Sequence, residues 1–268
     1  MEGEAGPLRW PTCSPNVTST AVNAGIGREK SSICRCGGAK LQSVEPTIQP
    51  IDPERFIAQL QPLLERVDVA GLMHVVKTEW KPEQIEQLMQ SEHTDAKKVA
   101  LLAVGMVGQG CCLPKLVKHL RDPDPVVHEM TEHAMWSIWF RLGKSPEANH
   151  QLARGAQALE RKDYEHALKH FNRALELDPD FAEAYNQRAL ANYLMERYEE
   201  SVVDCERTVE RMPMHFGALA GMGHCYAHLG KIRDAIQSYE RALEIHPHFE
   251  CLREAIPELR ARLRDEEQ

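Results

Sequence analysis

Pro179, Pro213 and Pro247 stand 34 residues apart, and the segments before them align with one another without a gap. A fixed period of this length marks a solenoid, in which each unit leaves an apolar face that only its neighbours can cover. The alignment reaches beyond the prolines. Gly155, Ala189 and Gly223 fall at one position of the period, Ala167, Ser201 and Ala235 at a second, and Ala174, Thr208 and Ala242 at a third. Small residues at these points let two helices approach closely. Tyr164, Tyr198 and Ile232, then Phe171, Cys205 and Tyr239, supply the larger groups that fill the space between them. Ala167, Leu168, Phe171 and Leu175 recur at helical spacing on one face. Each unit ends before its proline, which cannot continue a helix and pushes the preceding residue toward extended backbone. The period predicts three helical hairpins at about 148–181, 182–215 and 216–249, closed by a helix from Phe249 to about Arg264.

The series Gly155, Tyr164, Ala167, Phe171, Ala174, Pro179 resembles the tetratricopeptide repeat, and so does Gly223, Tyr226, Ala235, Tyr239, Ala242, Pro247. The second unit departs from it, with Ser201, Cys205 and Thr208 where the family usually has Ala, an aromatic and Ala. Arg154 and Arg188 stand where it usually has Leu. The resemblance covers residues 148–265 and implies an all-α solenoid of helical hairpins whose first helices line a concave groove. Carried onto this chain, the groove positions include Asn149 in the first unit, Glu183, Asn186, Gln187 and Tyr193 in the second, and His224 and His228 in the third. Asn186 and Gln187 are suited to hydrogen-bond the backbone of an extended peptide, and Tyr193 and His224 to contact a side chain. The function implied is non-catalytic: an adaptor or scaffold holding a protein or peptide segment. Members of the family that grip the C-terminal carboxylate of chaperone tails use a clamp of Lys, Asn, Asn, Lys and Arg. The corresponding positions here are Leu152, Ala156, Gln187, Gly217 and Gly221, so a free acidic tail is not expected to bind in that way.

A fainter repeat lies upstream. His93–Gly108 realigns 31 residues later as Asp124–Trp139, matching Ala103 to Ala134 and Val104 to Met135. Between the copies run Leu113, Leu116 and Leu120, then Asp122-Pro123-Asp124-Pro125, where an aspartate before a proline is a helix-start signal. This pattern resembles HEAT-type repeats. Three further helices are predicted before it: one opened by Asp52-Pro53-Glu54 and kinked or divided at Pro62, one through Leu72 and Val76, and one opened by Lys81-Pro82-Glu83. The organisation expected is a disordered tail over 1–51, a HEAT-like region over 52–147 and a tetratricopeptide domain over 148–268. The alternatives to the adaptor are a self-associating assembly subunit whose HEAT-like face, near Trp136 and Trp139, packs against a second copy, and an accessory subunit of an enzyme.

Composition narrows the function further. Residues 148–268 hold 22 acidic against 16 basic side chains, and the whole chain has a formal charge of −8, which argues against a nucleic-acid backbone as partner. No run of about 18–20 apolar residues predicts a membrane span. Eight cysteines without framework spacing suit a reducing, cytoplasmic compartment. Residues 1–50 are rich in Pro, Gly, Ser and Thr and lack apolar periodicity, as a segment that cannot offset its ordering entropy does. Cys34 and Cys36 form a pair, but a structural zinc site needs four ligands and no second pair follows at suitable spacing. His128 and His133 are five residues apart, about 140° around a helix, so they cannot act as the same-face pair of a zinc protease. His224 and His228 do share a face but lack the glutamate of that motif. No phosphate-cradling loop or nucleophile elbow is present. No cofactor, metal or catalytic residue is expected.

Overall fold

The computed structural model describes residues 51–266, and among them the chain is all α, with thirteen α-helices, one short 3₁₀ turn and no strand. The readings made for residues 1–50, the tail and the Cys34–Cys36 pair, lie outside the described residues. The rest divides into two compact units that meet in sequence at Arg141 and Leu142.

The first unit carries α1 (Pro53–Glu65), α2 (Val69–Glu79), α3 (Pro82–Met89), α4 (Thr94–Val107), α5 (Leu113–His119) and α6 (Pro125–Trp139). Side-chain caps set four of the starts. Asp52, Asp68, His93 and Asp124 each accept a backbone N–H from the first turn, satisfying a donor that has no partner within the helix. His93 and Asp124 are the two copies of one position in the 31-residue repeat. The close approach falls between α4 and α6, where a Cβ on Gly105 would lie 3.1 Å from the Ala134 Cα. Arg141 then closes the end of α4 by donating to the carbonyls of Gly105 and Gly108.

Two expectations change here. α1 is not divided at Pro62, because a proline three residues from the end forfeits one hydrogen bond while Phe56 and Leu60 hold the helix in the core. Trp136 and Trp139 are 2% and 1% exposed and pack edge to face at 4.9 Å, so they are core residues and offer no open face for a second copy.

The second unit stacks three hairpins and a closing helix: α7 (Pro146–Glu160) with α8 (Tyr164–Leu177), α9 (Ala182–Leu194) with α10 (Tyr198–Arg211), α11 (Phe216–His228) with α12 (Ile232–Ile245), then α13 (Glu250–Glu266). Each helix packs on the next, and the first helices of successive hairpins, α7, α9 and α11, touch one another. Gly155 and Gly223 are required by sterics. A Cβ at either would sit 2.3 Å and 2.4 Å from the rings of Phe171 and Tyr239. The second hairpin solves the same contact with Ala189 and Cys205, a larger residue facing a smaller one, both 0% exposed.

The other three departures in that hairpin, Ser201, Thr208 and Arg188, have partners. Ser201 donates to the Ala189 carbonyl at 2.8 Å and accepts from the Cys225 thiol at 3.2 Å, tying α10 to α9 and α11. Thr208 bonds the Asp204 carbonyl in its own helix at 2.9 Å. Arg188 replaces the usual apolar contact with a two-pronged bond to Asp204 at 2.7 and 2.6 Å. Burial pushes the Cys225 thiol up to about 12 and Cys205 well above its ordinary range, so both are inert apolar fillers at neutral pH.

The turn within each hairpin repeats as closely as the helices do. Lys162, Glu196 and Gly230, again 34 apart, have φ of 59°, 60° and 73°. In each, the following N–H reaches back five residues to a carbonyl: Asp163 to Ala158, Arg197 to Asn192, Lys231 to Tyr226, all at 2.9 Å. This is a left-handed helix end, a conformation that glycine adopts without the penalty a Cβ incurs. Val67, after α1, repeats it at φ 55° with a β-branched side chain 78% exposed. Val67→Gly, Lys162→Gly and Glu196→Gly should therefore each stabilise the fold by about 0.5–1 kcal/mol, whereas Gly230→Ala should cost about 1 kcal/mol. Urea midpoints on the four variants check the signs.

Candidate functional site

Helices α7, α9 and α11 present the residues assigned to the groove, and the structure sorts them into three settings. Asn149, half-buried on α7, accepts from the Gly143 N–H at 2.9 Å and donates to the Gly143 carbonyl at 3.3 Å. It fastens the loop that leads into α7.

Glu183, Asn186 and Gln187 come together one helical turn apart on α9, at 1%, 1% and 3% exposure. The Glu183 carboxylate collects three donors: Asn186 Nδ2 at 3.2 Å, Gln187 Nε2 at 2.7 Å and His215 Nε2 at 2.9 Å. His215 caps α11, where its Nδ1 accepts the Ala218 N–H at 3.0 Å. That bond leaves Nε2 as the hydrogen-bearing nitrogen, so the imidazole donates to Glu183. A carboxylate taken out of water needs such donors, because an unpaired buried charge costs several kcal/mol. The quartet thus joins the second hairpin to the third. One atom of it is left over: Asn186 Oδ1 is buried and has no hydrogen-bond partner among the described residues.

Tyr193, Tyr198, His224, His228 and Tyr239 form the third setting, at the C-terminal ends of α9 and α11. The Tyr193 hydroxyl lies 3.1 Å from His228 Nε2, and the exposed His228 ring stacks on half-buried Tyr198 at 4.6 Å and 6°. Tyr193 meets both edge-on, at 5.5 and 5.7 Å. Burial pushes the Tyr193 hydroxyl up to about 12 and pulls His228 down, so the phenol donates and a neutral imidazole accepts. Deeper in, His224 is 2% exposed, and burial, with the His228 charge behind it, pulls it down to about 3. Tyr239, itself pushed up by burial, donates to His224 Nδ1 at 2.6 Å. Both histidines are neutral at pH 7.

Of the residues named from sequence, then, Glu183, Asn186 and Gln187 are brought together, as are Tyr193, His224 and His228, while Asn149 stands apart. His215, Tyr198 and Tyr239 complete the two clusters and were not anticipated as site residues. His215 is an unusual capping residue, which a search for Ser, Thr, Asp or Asn passes over. Tyr198 and Tyr239 read as packing positions of the repeat; Tyr198 stacks on His228, and Tyr239 both packs and donates to His224. Among the described residues no group of three or more His, Cys, Asp or Glu side chains is arranged to hold a metal, and no helix is long and apolar enough to cross a membrane.

Two repeat profiles match within this second unit. A TPR repeat profile matches residues 156–195, and a tetratricopeptide repeat profile matches residues 217–249. A TPR repeat-containing protein of Rhizobium etli is 32% identical over 147 residues, spanning 55% of this chain and 71% of that protein. Sperm-associated antigen 1 of Mus musculus is 30% identical over 124 residues, covering 46% of this chain and 14% of the relative's length. Among solved structures, the first TPR of Spaghetti (RPAP3) bound to the HSP90 peptide SRMEEVD aligns with a TM-score of 0.44 at 21% identity, over 45% of this chain and 95% of that one.

Proposed function

The chain belongs to the tetratricopeptide-repeat family, and from that premise we propose that it is a non-catalytic adaptor that holds an extended segment of a partner protein along α7, α9 and α11. The mechanism is pre-organisation. A stack of hairpins braced by buried glycine–aromatic contacts presents its polar groups without having to fold on contact, which lowers the entropic cost of binding. The observation that carries the reading is Asn186 Oδ1, an acceptor without a hydrogen-bond partner among the described residues, beside a carboxylate that already has three donors. A buried acceptor in that state favours a ligand that brings a donor, and the backbone N–H of an extended segment is the commonest one. Tyr198 and His228 give the segment an aromatic edge to pack on.

The same residues argue against an acidic tail as ligand. The five clamp positions hold Leu152, Ala156, Gln187, Gly217 and Gly221, none of them a cation, and Leu152 is fully buried. We extend the proposal to the first unit, as a HEAT-like pair over 93–142, supported by the capped starts 31 residues apart and the Gly105–Ala134 contact. The cytoplasm is the proposed compartment, supported by the free thiols of Cys111, Cys205 and Cys225.

The test is a selection of random displayed peptides on the full chain. Enriched peptides should bind the parent and lose at least about ten-fold in affinity on His228→Ala with Tyr198→Ala, a change of about 1.4 kcal/mol. Enriched peptides that bind the double variant as tightly as the parent would refute the inner-face reading.

A further inference from the structure

A second cleft in the repeat unit lies between α10 and α12, away from the residues used above. It has a volume of about 480 Å³, within the range of side-chain and small-ligand sites. Its apolar lining is Val209, Pro213, Met222 and Tyr226, of which Met222 is 6% exposed. Glu206 and Glu210 line it from α10 and Asp234 from α12. Glu206 and Glu210 stand one helical turn apart, an arrangement in which like charges repel.

These carboxylates are poorly compensated. Among the described residues no lysine or arginine forms an ion pair with Glu206 or Asp234, and Glu210 has only Arg211, at 3.9 Å. The Tyr226 hydroxyl donates to Glu206 at 3.4 Å. Burial, and behind it the charges of Glu206 and Asp234, hold that hydroxyl above its ordinary range. The Tyr226 ring already attracts one cation, with Lys231 Nζ 5.8 Å from its centroid. Arg241 also lines the cleft and makes no bond among the described residues.

We propose that this cleft is a second interaction surface, which takes a lysine or arginine side chain from a segment of a partner protein. The aliphatic stem of that side chain lies along Val209, Pro213 and Met222, and its charged head reaches Glu206, Glu210 and Asp234. Arg241 offers a donor to a main-chain carbonyl of the same segment. Occupancy relieves the repulsion between Glu206 and Glu210, so charge complementarity selects a basic guest over a neutral or acidic one. None of the inner-face residues takes part, so this inference and the adaptor reading can fail independently.

The experiment is a methyl NMR titration of the full chain labelled at its methionines, with Met222 assigned by Met222→Leu. Three probe peptides are used: N-acetyl-Gly-Arg-Gly-amide and its counterparts with norleucine or glutamate in place of arginine. The arginine peptide should shift the Met222 methyl saturably, and the other two should not. The triple variant Glu206→Gln, Glu210→Gln, Asp234→Asn should melt as the parent does and bind the arginine peptide about ten-fold more weakly. An equal response to norleucine, unchanged affinity in the triple variant, or no saturable shift would overturn the proposal. So would a Met222 shift produced by raising the protein concentration alone, which would make a second copy the occupant.

Discussion

Cys205→Phe should unfold or severely loosen the second hairpin, and Ala189→Gly added to it should restore most of the loss. In the first and third hairpins, glycine faces an aromatic ring so closely that a Cβ would stand 2.3–2.4 Å from ring carbons. Placing a ring at 205 over the Cβ of Ala189 recreates that collision in a position with no exposure to relieve it. Overpacking of this kind costs about 3 kcal/mol. Ala189→Gly alone should cost about 1 kcal/mol, the usual helix-interior value. The double variant should be about 2 kcal/mol more stable than Cys205→Phe, a coupling of about 3 kcal/mol measurable by a urea double-mutant cycle. Additive losses would mean that residues 189 and 205 do not face each other. Gly155→Ala and Gly223→Ala, the mirror-image changes, should each destabilise by a similar amount.

His215→Ala is the second large effect. It removes a donor from a carboxylate that is 1% exposed and a cap from α11 in one step. Losing one of the three donors of a buried carboxylate, together with the cap, costs about 2–3 kcal/mol, because Asn186 and Gln187 alone satisfy the carboxylate less fully. Adding Glu183→Gln should recover part of this, since a neutral amide tolerates the vacancy better than a carboxylate does. Thermal melts of the two single variants and the double variant read the sign directly. A double variant less stable than His215→Ala would show that Glu183 is not held by the imidazole. Asn186→Ala also touches this quartet, and it should lower the melting point because Nδ2 is one of the three donors to Glu183.

Much of the architecture is legible in the chain because the repeat makes each position visible three times. The hairpins, their closing helix and the contact of Gly155 with Phe171 and Gly223 with Tyr239 follow from small and large residues recurring at a fixed offset. The exceptions follow from the same geometry. Cys205 and Ala189 look like a lapse when read singly and are one compensated pair when read together. The site was less legible. The groove assignment gave the positions of Glu183, Asn186 and Gln187 but not their state, which depends on His215, a residue 32 positions away. Asn149 shared the same repeat position logic, yet a local loop claimed its amide. The continuity of α1 through Pro62 was missed because one lost hydrogen bond is small beside the burial of Phe56 and Leu60.

The most direct test of the adaptor reading is site-specific photocrosslinking of a selected peptide. p-Benzoylphenylalanine is placed in turn at His228, beside the inner-face aromatic cluster, and at Gln237, on α12 at the other cleft. The account predicts that the peptide crosslinks from position 228, and that excess unlabelled peptide abolishes the product. Crosslinking from 237 alone would contradict the claim that the partner segment lies along α7, α9 and α11.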